Sequence, residues 1–331
     1  MRITALLAAL VLALAACGTA EVSTTTDAPA TVTTDAVVAA TTTTLEATTT
    51  TLGEFPVTVE AGNGPVTIEE RPNAVISLSP TATEMLFAIG AGEQVIAVDD
   101  QSNYPAEAPV TDLSGFTPNL EAILAFEPDL VVISFDPGDP PLSEGLAAAG
   151  IPTLLLGAAT TLDDFYRQIE ILGTATGNSG GAEALNEQVQ ADIAAIVGEV
   201  AGIAEGITYY HELSSDLYSA TSNTFIGQVY GLLGLVNIAD AADEDGYGFP
   251  QLTPEYVVAA DPDIIFLADA SYGVTVDSLR ERPGWEGMRA LESGSVVPLD
   301  ADVASRWGPR IVEFLEVVAE AVEKYLAADS G

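Results

Sequence analysis

One phrase, written twice, constrains this chain more than any other feature. It runs Asn119-Leu-Glu121-Ala-Ile-Leu-Ala-Phe-Glu127-Pro128-Asp129 into Leu130–Ile133, and again Thr253-Pro-Glu255-Tyr-Val-Val-Ala-Ala-Asp261-Pro262-Asp263 into Ile264–Leu267. The copies stand 134 residues apart without a gap, so Glu121 matches Glu255 and Asp129 matches Asp263. Each opens on a residue whose side-chain oxygen caps a helix, then puts a Glu in the first turn, where it suits the positive end of the helix dipole. The acid-Pro-Asp sequence stops the helix, because proline cannot continue the hydrogen-bond ladder. Four branched or aromatic apolar residues follow and read as a strand buried on both faces. Gly115-Phe116 and Gly248-Phe249 precede the copies, one residue out of register with the rest. Two copies are too few for a solenoid. They predict two similar α/β lobes, each with a Phe and a Glu at an equivalent place.

The front of the chain has a different character. Residues 1–16 hold a charged start, an apolar run and small residues before Cys17, the pattern of an export signal. The run is short for a membrane span. Leu14-Ala-Ala-Cys17 looks like a bacterial lipobox, whose Cys is lipidated; the plainer alternative is a secretory signal with an incidental Cys. The lipobox reading makes the protein exported and lipid-anchored to the outer face of the cell membrane. Cys17 is the only cysteine, which excludes an intrachain disulfide and a Cys-based metal site. Residues 17–54 are mostly Thr, Ala and Val and read as a disordered stalk. The net charge of −40, from 49 acids and nine bases, repels nucleic acid and anionic lipid. As a solvated surface it says little about the ligand.

From residue 55 onward strands and helices alternate, which argues for parallel sheets with helices on both faces. Residues 57–60 and 65–68 read as a hairpin turning at Asn63-Gly64. Residues 74–78 read as a strand, followed by Thr81 and Glu84 at capping-box spacing. An apolar pattern at three- and four-residue steps without proline predicts a helix over 182–204, about 30 Å long. The expected organisation is an N-terminal lobe over 55–177, an inter-lobe helix over 178–205 and a C-terminal lobe over 206–327. The last helix is expected to open after Arg306-Trp307-Gly308-Pro309-Arg310 and run to Tyr325.

These words carry a resemblance. Residues 76–84, Asn103-Tyr104-Pro105, both copies of the repeat, residues 234–238 and Gly308-Pro309-Arg310 resemble, in order and spacing, the iron-chelate and vitamin B12 group of periplasmic substrate-binding proteins of ABC importers. The resemblance covers about 74–325. It implies two Rossmann-like lobes joined by one rigid helix, a metal chelate bound in the cleft, and docking onto membrane permease subunits. It also implies that Glu121 and Glu255 pair with permease arginines, against the alternative that they only complement the helix dipole. In open α/β sheets the cleft lies beyond the carboxyl ends of the strands. Tyr104, Phe116, Phe249 and Trp307 fall in such loops, where a planar ligand could stack; each could equally be core. Arg306 resembles a cleft arginine of the family that would hold a carboxylate, amide oxygen or phosphate. His211, the only histidine, is expected to be a cleft hydrogen-bonding or packing residue, since one His cannot make a free-metal site.

No nucleophile elbow, glycine-rich phosphate loop or Cys nucleophile is present, so no enzyme and no cofactor are expected. The expectation is a monomeric, lipid-anchored binding protein delivering a corrinoid to an ABC permease. The alternatives left open are a ferric siderophore as ligand and a stalked ligand-sensing receptor.

Overall fold

The computed structural model describes residues 54–329 except residue 201. The readings made for residues 1–53, Cys17 among them, lie outside the described residues. The first lobe opens with β1 (Val57–Ala61) and β2 (Gly64–Ile68), an antiparallel pair whose two-residue turn is Gly62-Asn63. The turn thus falls one residue earlier than expected. Asn63 explains the shift: its side chain donates to Thr153 O (2.9 Å) and accepts from Leu155 N (3.1 Å), covering a strand edge with an amide.

Then come β3 (Val75–Leu78), α1 (Pro80–Ala88), β4 (Val95–Val98), α2 (Leu120–Leu124), β5 (Leu130–Ile133), α3 (Leu142–Ala148) and β6 (Thr153–Leu155). Two antiparallel helices follow, α4 (Leu162–Thr176) and α5 (Ser179–Val200). The second lobe holds β7 (Thr208–Glu212), α6 (Phe225–Leu232), β8 (Val236–Asn237), α7 (Pro254–Ala260), β9 (Ile264–Leu267), α8 (Val276–Arg280), α9 (Arg289–Ser293), β10 (Val296–Pro298), α10 (Ala301–Ser305) and α11 (Ile311–Asp329). Both four-stranded sheets are wholly parallel, ordered β4-β3-β5-β6 and β8-β7-β9-β10. Each lobe therefore sets its strands in the order second, first, third, fourth. The fold is two parallel α/β lobes joined through the long helix α5.

The repeated phrase explains how each sheet is assembled. Asp129 accepts from the backbone N–H of Asn73 (3.0 Å) and Ala74 (2.9 Å), just ahead of β3. Asp263 accepts from the N–H (2.8 Å) and hydroxyl (2.7 Å) of Thr208, the first residue of β7. In both lobes the aspartate after the proline staples its own strand to the lobe's first strand. The acid before each proline, Glu127 or Asp261, turns the chain with φ of 51° and 44°. Side chains of β5 and β9 alternate between faces, Leu130, Val132, Ile264 and Phe266 entering one shared core. Val131 and Ile133 enter a second cluster, and Ile265 and Leu267 a third, each on the outer face of its sheet. Burying such a side chain contributes roughly 1.5–3 kcal/mol.

The shared core also holds α1, α4, α5, α6 and α11, so it binds the lobes together. Helix α5 begins three residues before and ends four residues before the expected span. A Cβ on Gly181 would lie 2.1 Å from Ile89 O, so α5 meets the end of α1 where glycine permits backbone contact. The expected capping box at Thr81 and Glu84 does not form. Ser79 is the N-cap of α1, its hydroxyl accepting from Ala82 N (3.3 Å), and Glu84 is drawn away to the other lobe.

Candidate binding cleft

The carboxyl ends of both sheets carry loops rich in exposed aromatic side chains. Beyond β4, Phe116 is 72% exposed and lines a hollow of about 430 Å³ with Pro118, Leu120, Pro137, Pro140 and Leu142. Gly115 lets that loop lie on the end of β3, since a Cβ there would sit 2.7 Å from Leu78 O. Beyond β5 stands Phe135, also exposed. The second lobe offers Tyr218, Tyr247, Phe249 and, just past β9, Tyr272, which is 84% exposed. The loop of Tyr247 and Phe249 is pinned by Gly248, whose N–H donates to Asp243 (2.9 Å) and whose carbonyl accepts from Thr221 N (2.8 Å). Phe116 and Phe249 thus take the exposed loop positions expected of them. Phe135, Tyr218, Tyr247 and Tyr272 were missed, although Phe135 and Tyr272 each stand a few residues past a strongly apolar run, a position that could have flagged them.

Tyr104 is half exposed, but its face is covered by the Arg310 guanidinium, 4.4 Å from the ring centroid. It lines a different hollow, of about 460 Å³, with Phe87, Glu107 and Glu313. Trp307 is half-buried and donates to Gln168 Oε1 (3.1 Å) across the lobes.

Two expectations need correction. Arg306 is not a free ligand arm. Its guanidinium donates to Glu84 Oε1 (2.9 Å), Asn103 Oδ1 (2.9 Å) and Gln101 O (3.1 Å), and pairs with Asp302 (2.8 Å). With those acceptors in place both of its terminal nitrogens are matched. His211 is not a cleft residue. It is fully buried in the core, with Nδ1 2.8 Å from the Tyr230 hydroxyl and its ring edge-on to Phe314. Burial pushes its pKa down to about 3, so it is neutral packing at physiological pH.

The second lobe hides a charged cluster at its strand ends. Glu212, fully buried, is held by both terminal nitrogens of Arg282 (2.6 and 2.5 Å), which also stacks on Trp285. Asp269 is 2% exposed, and neither of its carboxylate oxygens has a hydrogen-bond partner. Burial, then the Glu212 charge, raises its pKa to about 6. Six of the seven described arginines sit in ion pairs within the chain, Arg282, Arg306 and Arg310 largely buried and Arg167, Arg280 and Arg289 at the surface, Arg71 being the other. Glu121 and Glu255 are both exposed in the first turns of α2 and α7, where Asn119 and Thr253 cap. Among the described residues no cluster of three or more His, Cys, Asp or Glu could hold a metal ion, and no helix is long and apolar enough to cross a membrane.

The family model described as periplasmic binding protein matches residues 75–303, more than half of the chain. The chain belongs to that family. Among its relatives is an ABC transporter substrate-binding lipoprotein, YvrC of Bacillus subtilis, 31% identical over 81% of this chain and 86% of the relative. A cobalamin-binding protein of Halobacterium salinarum is 30% identical over 81% of this chain and 74% of the relative. Of solved structures, the periplasmic heme-binding protein RhuT of Roseiflexus superposes with a TM-score of 0.67 at 28% identity, covering 78% of this chain and 99% of that one. The chain is therefore a substrate-binding component of transport, with relatives named for cobalamin and for heme. It serves permease subunits of an ABC transporter and takes a small-molecule ligand; it is not an enzyme.

Proposed function

We propose that this binding protein captures a corrinoid between the exposed aromatic loops of its two lobes and delivers it to an ABC permease. The observation that carries this reading is the composition of the strand-end loops. Phe116, Phe135, Phe249 and Tyr272 offer broad apolar faces to a large ring system. A polyanionic ferric siderophore would call for several unpaired arginines, and six of the seven described ones are paired with acids of the same chain. The cobalamin-binding relative supports the same ligand class. Glu121 and Glu255, at matched places on the two lobes, are the permease-docking residues of this reading. Cys17 is its lipid anchor, and the protein acts as a monomer.

The test is calorimetric titration of the protein with cyanocobalamin, haemin and a panel of ferric siderophores. The expected result is one-to-one cobalamin binding, weakened about tenfold or more by Phe116→Ala, Phe135→Ala or Phe249→Ala through lost stacking. Binding of a ferric siderophore or haemin alone would move the ligand to iron. Silence across the panel would favour a stalked ligand-sensing receptor.

A further inference from the structure

The lobes meet through a charge-balanced quartet that the binding reading does not require. Glu84 stands on α1 of the first lobe, with its side chain 1% exposed. Two guanidiniums from the second lobe converge on it. Arg306 donates to Oε1 (2.9 Å), and Arg310 donates to Oε1 (2.6 Å) and Oε2 (3.0 Å). Arg306 reaches two more first-lobe acceptors, Asn103 Oδ1 and Gln101 O, while the Asn103 amide donates back to Asp302 (2.7 Å). Glu84 and Asp302 balance the two arginines. The approach is tight: a Cβ on Gly308 would lie 3.0 Å from Glu84 Oε2. Two other bonds across the lobes join neutral groups, Trp307 to Gln168 and Gln228 to Thr160 O.

We propose that Glu84 is an inter-lobe latch that fixes the width of the cleft. Separating the lobes would break this whole set of bonds together. The forked, charge-assisted bonds fix how the two lobes register, and removing one partner would leave a charge uncompensated at the contact. The latch holds with or without ligand, so the cleft is preformed, and its loss lets the lobes rock about α5.

Distance measurements between spin labels test this without ligand. The labels sit on Glu144→Cys in the first lobe and Glu281→Cys in the second, both exposed, in the full chain carrying Cys17→Ser. The unmodified latch is expected to give one narrow distance distribution. Glu84→Gln and Arg306→Gln are each expected to add a second, longer population. Arg289→Gln, which breaks pairs to Asp261 and Asp263 inside the second lobe, is expected to lower Tm and leave the distribution narrow. Should Glu84→Gln fail to fold, Arg306→Lys, which keeps the charge and loses the fork, carries the same comparison. An unchanged distribution in folded latch variants, or equal broadening by Arg289→Gln, would overturn the latch.

Discussion

At Asp269 a single carboxyl sets a measurable pH dependence. Its folded pKa is raised from 3.8 to about 6, so the folded state binds a proton that the unfolded state releases. Stability from this group is therefore full below pH 3.8 and is lost as pH rises through 6. Asp269→Asn is expected to raise stability by about 1–3 kcal/mol at pH 7.5 and to give no gain near pH 4, read by thermal melts at both values. His211 acts with the opposite sign. Its pKa falls from 6.5 to about 3, so its contribution is full above pH 6.5 and is lost as pH falls toward 3. Backbone strain gives a second residue-level test. Glu127 is exposed with φ 51°, so Glu127→Gly is expected to be neutral or stabilising by up to about 1 kcal/mol. Asp261→Gly is expected to destabilise despite the same backbone, because Asp261 holds Arg289 at 2.9 Å. Chemical denaturation of the two variants separates the cases.

Among the elements, α2 with β5 and α7 with β9 were legible because every signal in them is local: a cap, a proline stop, an apolar run. The duplicated Asp129 and Asp263 staples were visible as residues but not as bonds, since their partners lie 55 or 56 positions away. Helix α4 was overlooked although Thr161 and Asp164 form a true capping box and Gly177 ends it with φ 72°. Thr161→Ala is expected to cost about 1 kcal/mol, lowering Tm by roughly 2–4 °C in a melting experiment. Among candidate site residues, Phe116 and Phe249 were readable from the loops they occupy. Arg306 misled because residue type and loop position say nothing of Glu84, 222 residues earlier. His211 misled because the end of a parallel strand can point into the core as readily as into the cleft.

For the whole molecule, duplication puts one exposed glutamate on each lobe at matched positions, and docking should need both. Glu121→Arg with Glu255→Arg is expected to leave ligand affinity unchanged while abolishing stimulation of the permease ATPase in reconstituted membranes. Unchanged stimulation would remove these residues from docking. The pairing of six described arginines with acids of the same chain has a wider consequence. A protein of net charge −40 that neutralises its cations internally surrounds itself with a negative field. That field reaches about 8 Å into physiological salt before screening halts it. Ionic strength then acts as a dial on encounter with a cationic partner, while stacking of a ligand on Phe116 or Phe249 stays indifferent to it.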